Sequence, residues 1–198
     1  MGAWSSMMRM RFTGRRQRGV SAEKKPSDQS PNAAPKVCGQ VSKVTTEEIH
    51  RLRTSFALLE RQANVAALIF YRRLFALDPS LRAMFREDIE LQARSFMDTL
   101  ATLVASLDRT RAVEELLAEL GERHAGFGVR PDHYPVVGAA LEGMLADVLG
   151  PALTLEVRAA WSRLYSLVTE SMLRGAARVQ LPGPTTPPQA PRTSAAAR

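Results

Sequence analysis

The stretch that decides the fold is Val113-Glu114-Glu115-Leu116-Leu117-Ala118-Glu119-Leu120-Gly121-Glu122-Arg123-His124, followed by Gly126-Phe127-Gly128-Val129-Arg130-Pro131. Val113, Leu116, Leu117, Leu120 and His124 recur at spacings of three and four, which places them on one stripe of a helix. The glycines and the proline end that helix in a turn. A histidine closing an apolar stripe has two readings. It is a satisfied core or surface residue, or it offers a buried basic nitrogen to a metal.

The rest of the central chain has the same helical period. Thr45 and Glu48 form a capping-box pattern ahead of a helix carrying Leu52, Phe56 and Leu59. A second helix follows, with a stripe of Val65, Leu68, Tyr71 and Phe75. Asp78-Pro79 predicts a cap and a short helix towards Phe85. Gln92, Phe96, Leu100, Leu103 and Leu107 mark a long helix before the His124 helix, which is expected to stop before Gly126. Pro131-Asp132 opens another, with Tyr134, Val137, Leu141, Leu145 and Val148 inward, and Gly150-Pro151 breaks it. The last helix carries Val157, Trp161, Leu164, Val168 and Met172. No strand-length alternation competes. The pattern predicts an all-α domain of seven or eight helices over residues 45–179.

The flanks differ in kind. Residues 1–44 are rich in Gly, Pro, Ser, Lys and Arg without a period and read as a disordered basic extension. Residues 180–198 read as a disordered Pro-rich tail. Residues 1–46 hold nine Lys or Arg against two acidic groups, whereas residues 47–178 hold 16 Arg, no Lys and 18 Asp or Glu. The net charge of +7 therefore resides in the flanks, and it does not argue for nucleic-acid binding by the fold.

Cys38 is the one cysteine, which rules out an intrachain disulfide. No run of 18 apolar residues predicts a spanning helix. The opening Met1-Gly2-Ala3-Trp4-Ser5-Ser6 fits a myristoylation pattern with Arg9, Arg11, Arg15, Arg16 and Arg18 as a polybasic partner; a chance match is the competing reading. Membrane contact by the extension stays open on that basis. No secretory signal is evident, so a cytoplasmic protein is expected. The Arg- and Ala-rich, Lys-free core suggests a GC-rich bacterial genome.

One histidine on an inner face is too little for a protein-only zinc or di-iron site, and no Glu-x-x-His pair begins one. A large cofactor needing a single strong protein ligand fits better.

The order of several further segments resembles a family. These are Phe70-Tyr71-Arg72-Arg73-Leu74-Phe75 with Asp78-Pro79, then Phe85, Gln92, His124-Ala125-Gly126-Phe127-Gly128-Val129, Tyr134, Val137-Gly138 and Ala160-Trp161. Over residues 46–177 the chain resembles the globins, above all bacterial single-domain haemoglobins and the globin part of flavohaemoglobins. Trp161-Ser162-Arg163-Leu164-Tyr165 and Met172-Leu173-Arg174-Gly175 also resemble neuroglobin.

The resemblance implies a haem b (iron protoporphyrin IX) cofactor, with His124 as its metal ligand and Phe85 packing on its plane. It places Phe96, Leu120, Val129, Tyr134 and Val137 around the cofactor. It makes Tyr71 and Gln92 the groups facing a bound gas, where a phenol hydroxyl and an amide N–H would stabilise charge building on dioxygen. Phe96 stands where relatives carry a smaller aliphatic residue, so it is expected to narrow the pocket. His50 and His133 match no ligand position, so ligation of the iron from both sides is not expected.

A tyrosine–glutamate pair supports the proximal histidine in flavohaemoglobins. Tyr134 matches the tyrosine, but Ala176 stands at the glutamate's place, and Glu170 lies elsewhere on the helix. The expected result is a less imidazolate-like ligand, poorly suited to O–O cleavage. Flavin- and nicotinamide-binding modules are not expected on this chain, so turnover would draw electrons from a separate reductase. The resemblance thus implies reversible dioxygen binding, with nitric oxide or carbon monoxide as further ligands and nitric oxide dioxygenation as a secondary role. Gas or redox sensing through a partner or membrane surface is the alternative.

Overall fold

The computed structural model describes residues 44–85 and 88–180. The basic extension, Cys38, the myristoylation pattern and the Pro-rich tail from residue 181 lie outside the described residues. Six α-helices are present among the described residues: α1 (Thr46–Glu60), α2 (Ala63–Leu77), α3 (Ile89–Ala105), α4 (Thr110–Gly126), α5 (His133–Leu149) and α6 (Leu155–Gln180). Three 3₁₀ segments join them, Pro79–Met84, Leu107–Arg109 and Gly150–Ala152. The short helix expected after Asp78-Pro79 is the first of these. No strand occurs among the described residues, and the chain is all-α.

Local chemistry sets the boundaries. The Thr45 hydroxyl accepts from the Glu48 N–H at 3.3 Å, and the Glu48 carboxylate accepts from the Thr45 N–H at 2.8 Å, completing the capping box. Arg163 of α6 reaches the same carboxylate at 2.6 Å. Asp78 accepts from the Ser80 N–H at 2.9 Å, with Pro79 at the first helical position. Gly128, at φ 84°, turns the chain after α4 in a conformation that favours glycine.

The core lies between layers of helices. α2 packs on α5 and α3, α1 on α6, and α4 makes its main contact with α6. Leu52, Leu59, Leu74, Met144, Leu164 and Leu167 are fully buried. Each such side chain contributes roughly 1.5–3 kcal/mol relative to exposure. Trp161 donates from Nε1 to the Ser55 hydroxyl at 2.9 Å, which satisfies the one polar group of a buried indole. Arg73 forms a bidentate pair with Asp147, at 3.0 and 2.7 Å, tying α2 to α5.

The inner face of α2 departs from the expected stripe. Val65 and Leu68 are 52% and 47% exposed, while Ala66, Ala67, Phe70, Tyr71 and Leu74 are buried. Small Ala66 and Ala67, completely covered, permit a close approach of neighbouring helices, and that contact outweighs the larger apolar side chains. The His124 helix also runs through Gly126 rather than stopping before it. The segment His133–Ala152 is long and apolar enough to cross a membrane by composition. In the fold Ala140, Leu141, Met144, Leu145 and Leu149 of this segment are core residues.

Candidate functional site

Helices α2 to α6 enclose an apolar cavity of about 730 Å³ including its mouth. Phe70, Tyr71 and Leu74 reach it from α2, and Leu81, Met84 and Phe85 from the 3₁₀ turn and its end. Phe96 comes from α3 and His124 from α4. Val129 precedes α5, which contributes His133, Tyr134 and Val137. Tyr165, Val168 and Met172 come from α6.

The α2–α3 side is an aromatic wall. Phe96 stacks on Phe70 with centroids 4.2 Å apart and planes 8° apart. Phe85 meets Tyr71 edge-on at 5.4 Å and Phe75 at 5.5 Å. These are the offset and edge geometries that ring quadrupoles favour. The Phe96 ring is thus part of the cavity wall, seated against Phe70.

Tyr71 is buried and donates to the backbone carbonyl of Gln92 at 3.4 Å. That is long for an O–H···O bond, which usually falls near roughly 2.7–2.8 Å. Burial pushes the phenol's pKa up, so it remains a protonated donor.

Gln92 itself is fully buried, and neither its amide nitrogen nor its amide oxygen has a hydrogen-bond partner. Its side chain does not line the cavity. Tyr71 and Phe96, one turn further along α3, form that part of the wall instead.

On α4, the Nδ1 of His124 lies 2.8 Å from the carbonyl oxygen of Leu120. A carbonyl can only accept, so the contact assigns the proton to Nδ1 and the lone pair of the neutral ring to Nε2. Burial lowers the imidazole's pKa to about 4 against the opposing effect of the Leu120 carbonyl, keeping the ring neutral at pH 7. Leu120 does not line the cavity with its side chain, contrary to the sequence expectation. It acts through its carbonyl, four residues before His124, which the helical repeat brings beside the ring.

The remaining polar groups on the cavity are Tyr134, Tyr165 and His133. Tyr165 donates to the Tyr134 carbonyl at 2.5 Å, and burial pushes its hydroxyl up to about 12. His133 accepts the Arg130 N–H on Nδ1 at 3.3 Å and has Nε2 3.8 Å from the Asp132 carboxylate. No cluster of three or more His, Cys, Asp or Glu suited to a metal ion exists among the described residues.

Comparison with known proteins decides the family. The globin profile matches residues 68–172. The neuroglobin of Tetraodon nigroviridis is 30% identical over 152 residues, covering 70% of this chain and 96% of that protein. This chain is a globin.

Other relatives agree. The flavohemoprotein of Deinococcus radiodurans is 29% identical over 133 residues, covering 66% of this chain and 33% of that protein. The flavohaemoglobin of Malassezia yamatoensis, solved with bound FAD and haem, superposes with a TM-score of 0.59 at 20% identity, over 70% of this chain and 38% of that one. The present chain thus spans about a third of the length of these flavin-containing relatives.

Membership of the globin family supports a haem cofactor. The residues around the cavity fit it. The wall is mostly apolar, and the neutral His124 imidazole lines it with Nδ1 held on the Leu120 carbonyl. The support to that imidazole on Nδ1 is the backbone carbonyl of Leu120.

Seven of the nine anticipated site residues line the cavity: Tyr71, Phe85, Phe96, His124, Val129, Tyr134 and Val137. Gln92 and Leu120 do not. Sequence reasoning overlooks Phe70, Leu74, Leu81, Met84, His133 and Tyr165 as cavity residues. It reads Val168 and Met172 only as inward positions. His133 has a usable signal, because it directly precedes Tyr134 in the segment that reaches the pocket. His50 is exposed on α1 and takes no part.

Proposed function

We propose that this globin holds haem b, iron protoporphyrin IX, through His124 and reversibly binds dioxygen. The observation carrying the reading is the His124 imidazole on an apolar cavity wall with Nδ1 committed to the Leu120 carbonyl. Ferrous haem in this cavity would supply the iron on which a diatomic gas is held.

The protein's own contribution is division of labour around that gas. His124 presents Nε2 in one orientation, because Nδ1 cannot leave the carbonyl without losing a hydrogen bond. Tyr71 offers a phenol proton from a dry wall, and in low dielectric such a donor stabilises developing negative charge strongly. Its present bond to the Gln92 carbonyl is long enough to be exchanged for a better acceptor. The aromatic wall of Phe70, Phe85 and Phe96 excludes water. A neutral imidazole supported by a carbonyl donates less electron density than one supported by a carboxylate, which favours gas retention over bond cleavage.

Conversion of nitric oxide and dioxygen to nitrate is the secondary activity we propose, with a separate electron donor restoring the ferrous state. The same Tyr71 donor that retains dioxygen would hold it for nitric oxide.

Absorption spectra of the purified protein, oxidised, reduced with dithionite and then exposed to dioxygen, test the primary reading. Haem bands with a reversible change on dioxygen addition are expected. A folded protein that takes up no haem would overturn it. Nitrate formed catalytically with added reductase tests the secondary activity, and none formed from a stable dioxygen complex would refute that activity alone.

A further inference from the structure

Two glycines hold the histidine-bearing helix against its neighbour without any side chain between them. A Cβ placed on Gly121 of α4 would lie 1.9 Å from the Met172 carbonyl oxygen of α6, and 2.6 Å from its carbonyl carbon and Cα. Reciprocally, a Cβ on Gly175 of α6 would lie 1.8 Å from the Ala118 carbonyl oxygen of α4. Real Cβ atoms do not approach closer than about 3 Å, so each methyl would demand a shift of more than an ångström. The obstructing atoms are backbone, so no rotamer change relieves them. Glycine within a helix is entropically unfavourable, and close backbone approach is the usual compensation.

The contact sits where it matters for the pocket. Gly121 follows Leu120, whose carbonyl holds His124 Nδ1, and His124 is three residues further along α4. On the other helix, Met172 touches Gly121 through its backbone while its side chain lines the same cavity as His124. The closeness of α4 and α6 therefore fixes the imidazole relative to the cavity wall.

We propose that Gly121 and Gly175 form a backbone lock that sets how closely His124 approaches the haem iron, making both glycines positioning residues for haem retention and gas affinity. The proposal rests on the haem reading above. Substituting either glycine with alanine pushes α4 off α6 and carries the Leu120 carbonyl and His124 outward together. Ligation by the imidazole weakens as a result.

The test uses the full chain reconstituted with haem, comparing Gly175→Ala and Gly121→Ala with Gly126→Ala. Gly126 lies on the same helix, two residues from His124, but a Cβ there meets nothing within 4 Å. Resonance Raman spectra of the ferrous proteins read the iron–histidine stretch, and transfer to a haem scavenger reads haem loss. The lock predicts a lower stretching frequency and several-fold faster haem loss in the first two variants, with Gly126→Ala matching the wild type. Equal frequencies in all four proteins would overturn it.

His124→Gly supplemented with free imidazole covers the case in which the alanine variants fail to fold. There the ligand is no longer tethered to α4. A stretch shifted from the wild-type value supports a position imposed by the helix, and an identical one refutes it. A wild type showing no iron–histidine band at all would instead defeat the haem reading.

Discussion

The two walls of the cavity are built on opposite principles. On the α4–α6 side, backbone lies directly on backbone, and the one functional side chain has a short, well-defined hydrogen bond at 2.8 Å. On the α2–α3 side, aromatic rings carry the packing, Tyr71 has a long 3.4 Å bond, and the Gln92 amide has none. A buried polar group without a partner costs roughly 1–3 kcal/mol. The difference teaches that the His124 side is complete in the polypeptide alone, whereas the Tyr71 side keeps unspent hydrogen-bonding capacity beside the pocket. A fixed ligand and an under-satisfied donor set are what a reversible gas site requires.

Removing the fixed side should have the largest effect. His124→Ala is expected to abolish stoichiometric haem uptake while leaving a helical protein, read by the haem-to-protein absorbance ratio alongside circular dichroism. Unchanged uptake in a folded variant would show that another group on the cavity ligates the iron, with His133 the first candidate.

Acid attacks the same side more gradually. The imidazole titrates near 6.5 in the unfolded chain and about 4 in the folded one, because burial disfavours its charged form. Above pH 6.5 neither state binds the proton and the group has no effect on stability. As pH falls from 6.5 to 4, the unfolded state gains a proton that the folded state refuses, so stability declines. Below about pH 4 the loss levels off at about 3 kcal/mol, because each tenfold difference in proton affinity between the two states is worth about 1.4 kcal/mol. Denaturant titrations of the apoprotein across this window should show that decline, and it should be absent from His124→Ala.

The other side should respond in the reverse sense to removal of a polar group. Gln92→Leu replaces an unpartnered buried amide with an apolar side chain of similar size. The apoprotein should gain about 1–3 kcal/mol, raising its melting temperature by several degrees. The same variant should release dioxygen faster if the amide is kept for the pocket. No gain in stability would mean that Gln92 is satisfied in solution, and the contrast between the walls would narrow.

These contrasts are unevenly legible in the chain. The helix stripe ending in His124 and the breaks at Gly126 and Gly150 are local signals, and the elements follow them closely. The inner face of α2 is easily misread because the largest apolar residues, Val65 and Leu68, attract a hydrophobic pattern, whereas the contact is made by Ala66 and Ala67. Small residues reveal a tight crossing only once the partner helix is known. The side chain of Leu120 suggests a pocket residue although its carbonyl is what serves His124, and backbone roles leave no trace in residue type. The pose of Gln92 depends on how Tyr71 and Phe96 fill the wall beside it, which is a tertiary outcome. Gly121 and Gly175 are visible as glycines within helices, but only the opposed carbonyls of Met172 and Ala118 explain them.

Tyr71→Phe makes the smallest change and divides the two possible uses of the hydroxyl. In the ligand-free protein it removes only a long bond to the Gln92 carbonyl, so stability should change by less than about 1 kcal/mol. With dioxygen present, the phenol would exchange that acceptor for one carrying more negative charge. A hydrogen bond improved by about 1.4 kcal/mol corresponds to a tenfold change in dissociation. Stopped-flow release of dioxygen should therefore accelerate about tenfold, in keeping with that difference. Carbon monoxide, which accumulates less charge, should leave at a rate close to the wild type's. Equal acceleration of both gases would point to a wider cavity rather than a lost donor. Unchanged rates would mean that the hydroxyl stays with the Gln92 carbonyl and that the under-satisfied wall takes no part in holding the gas.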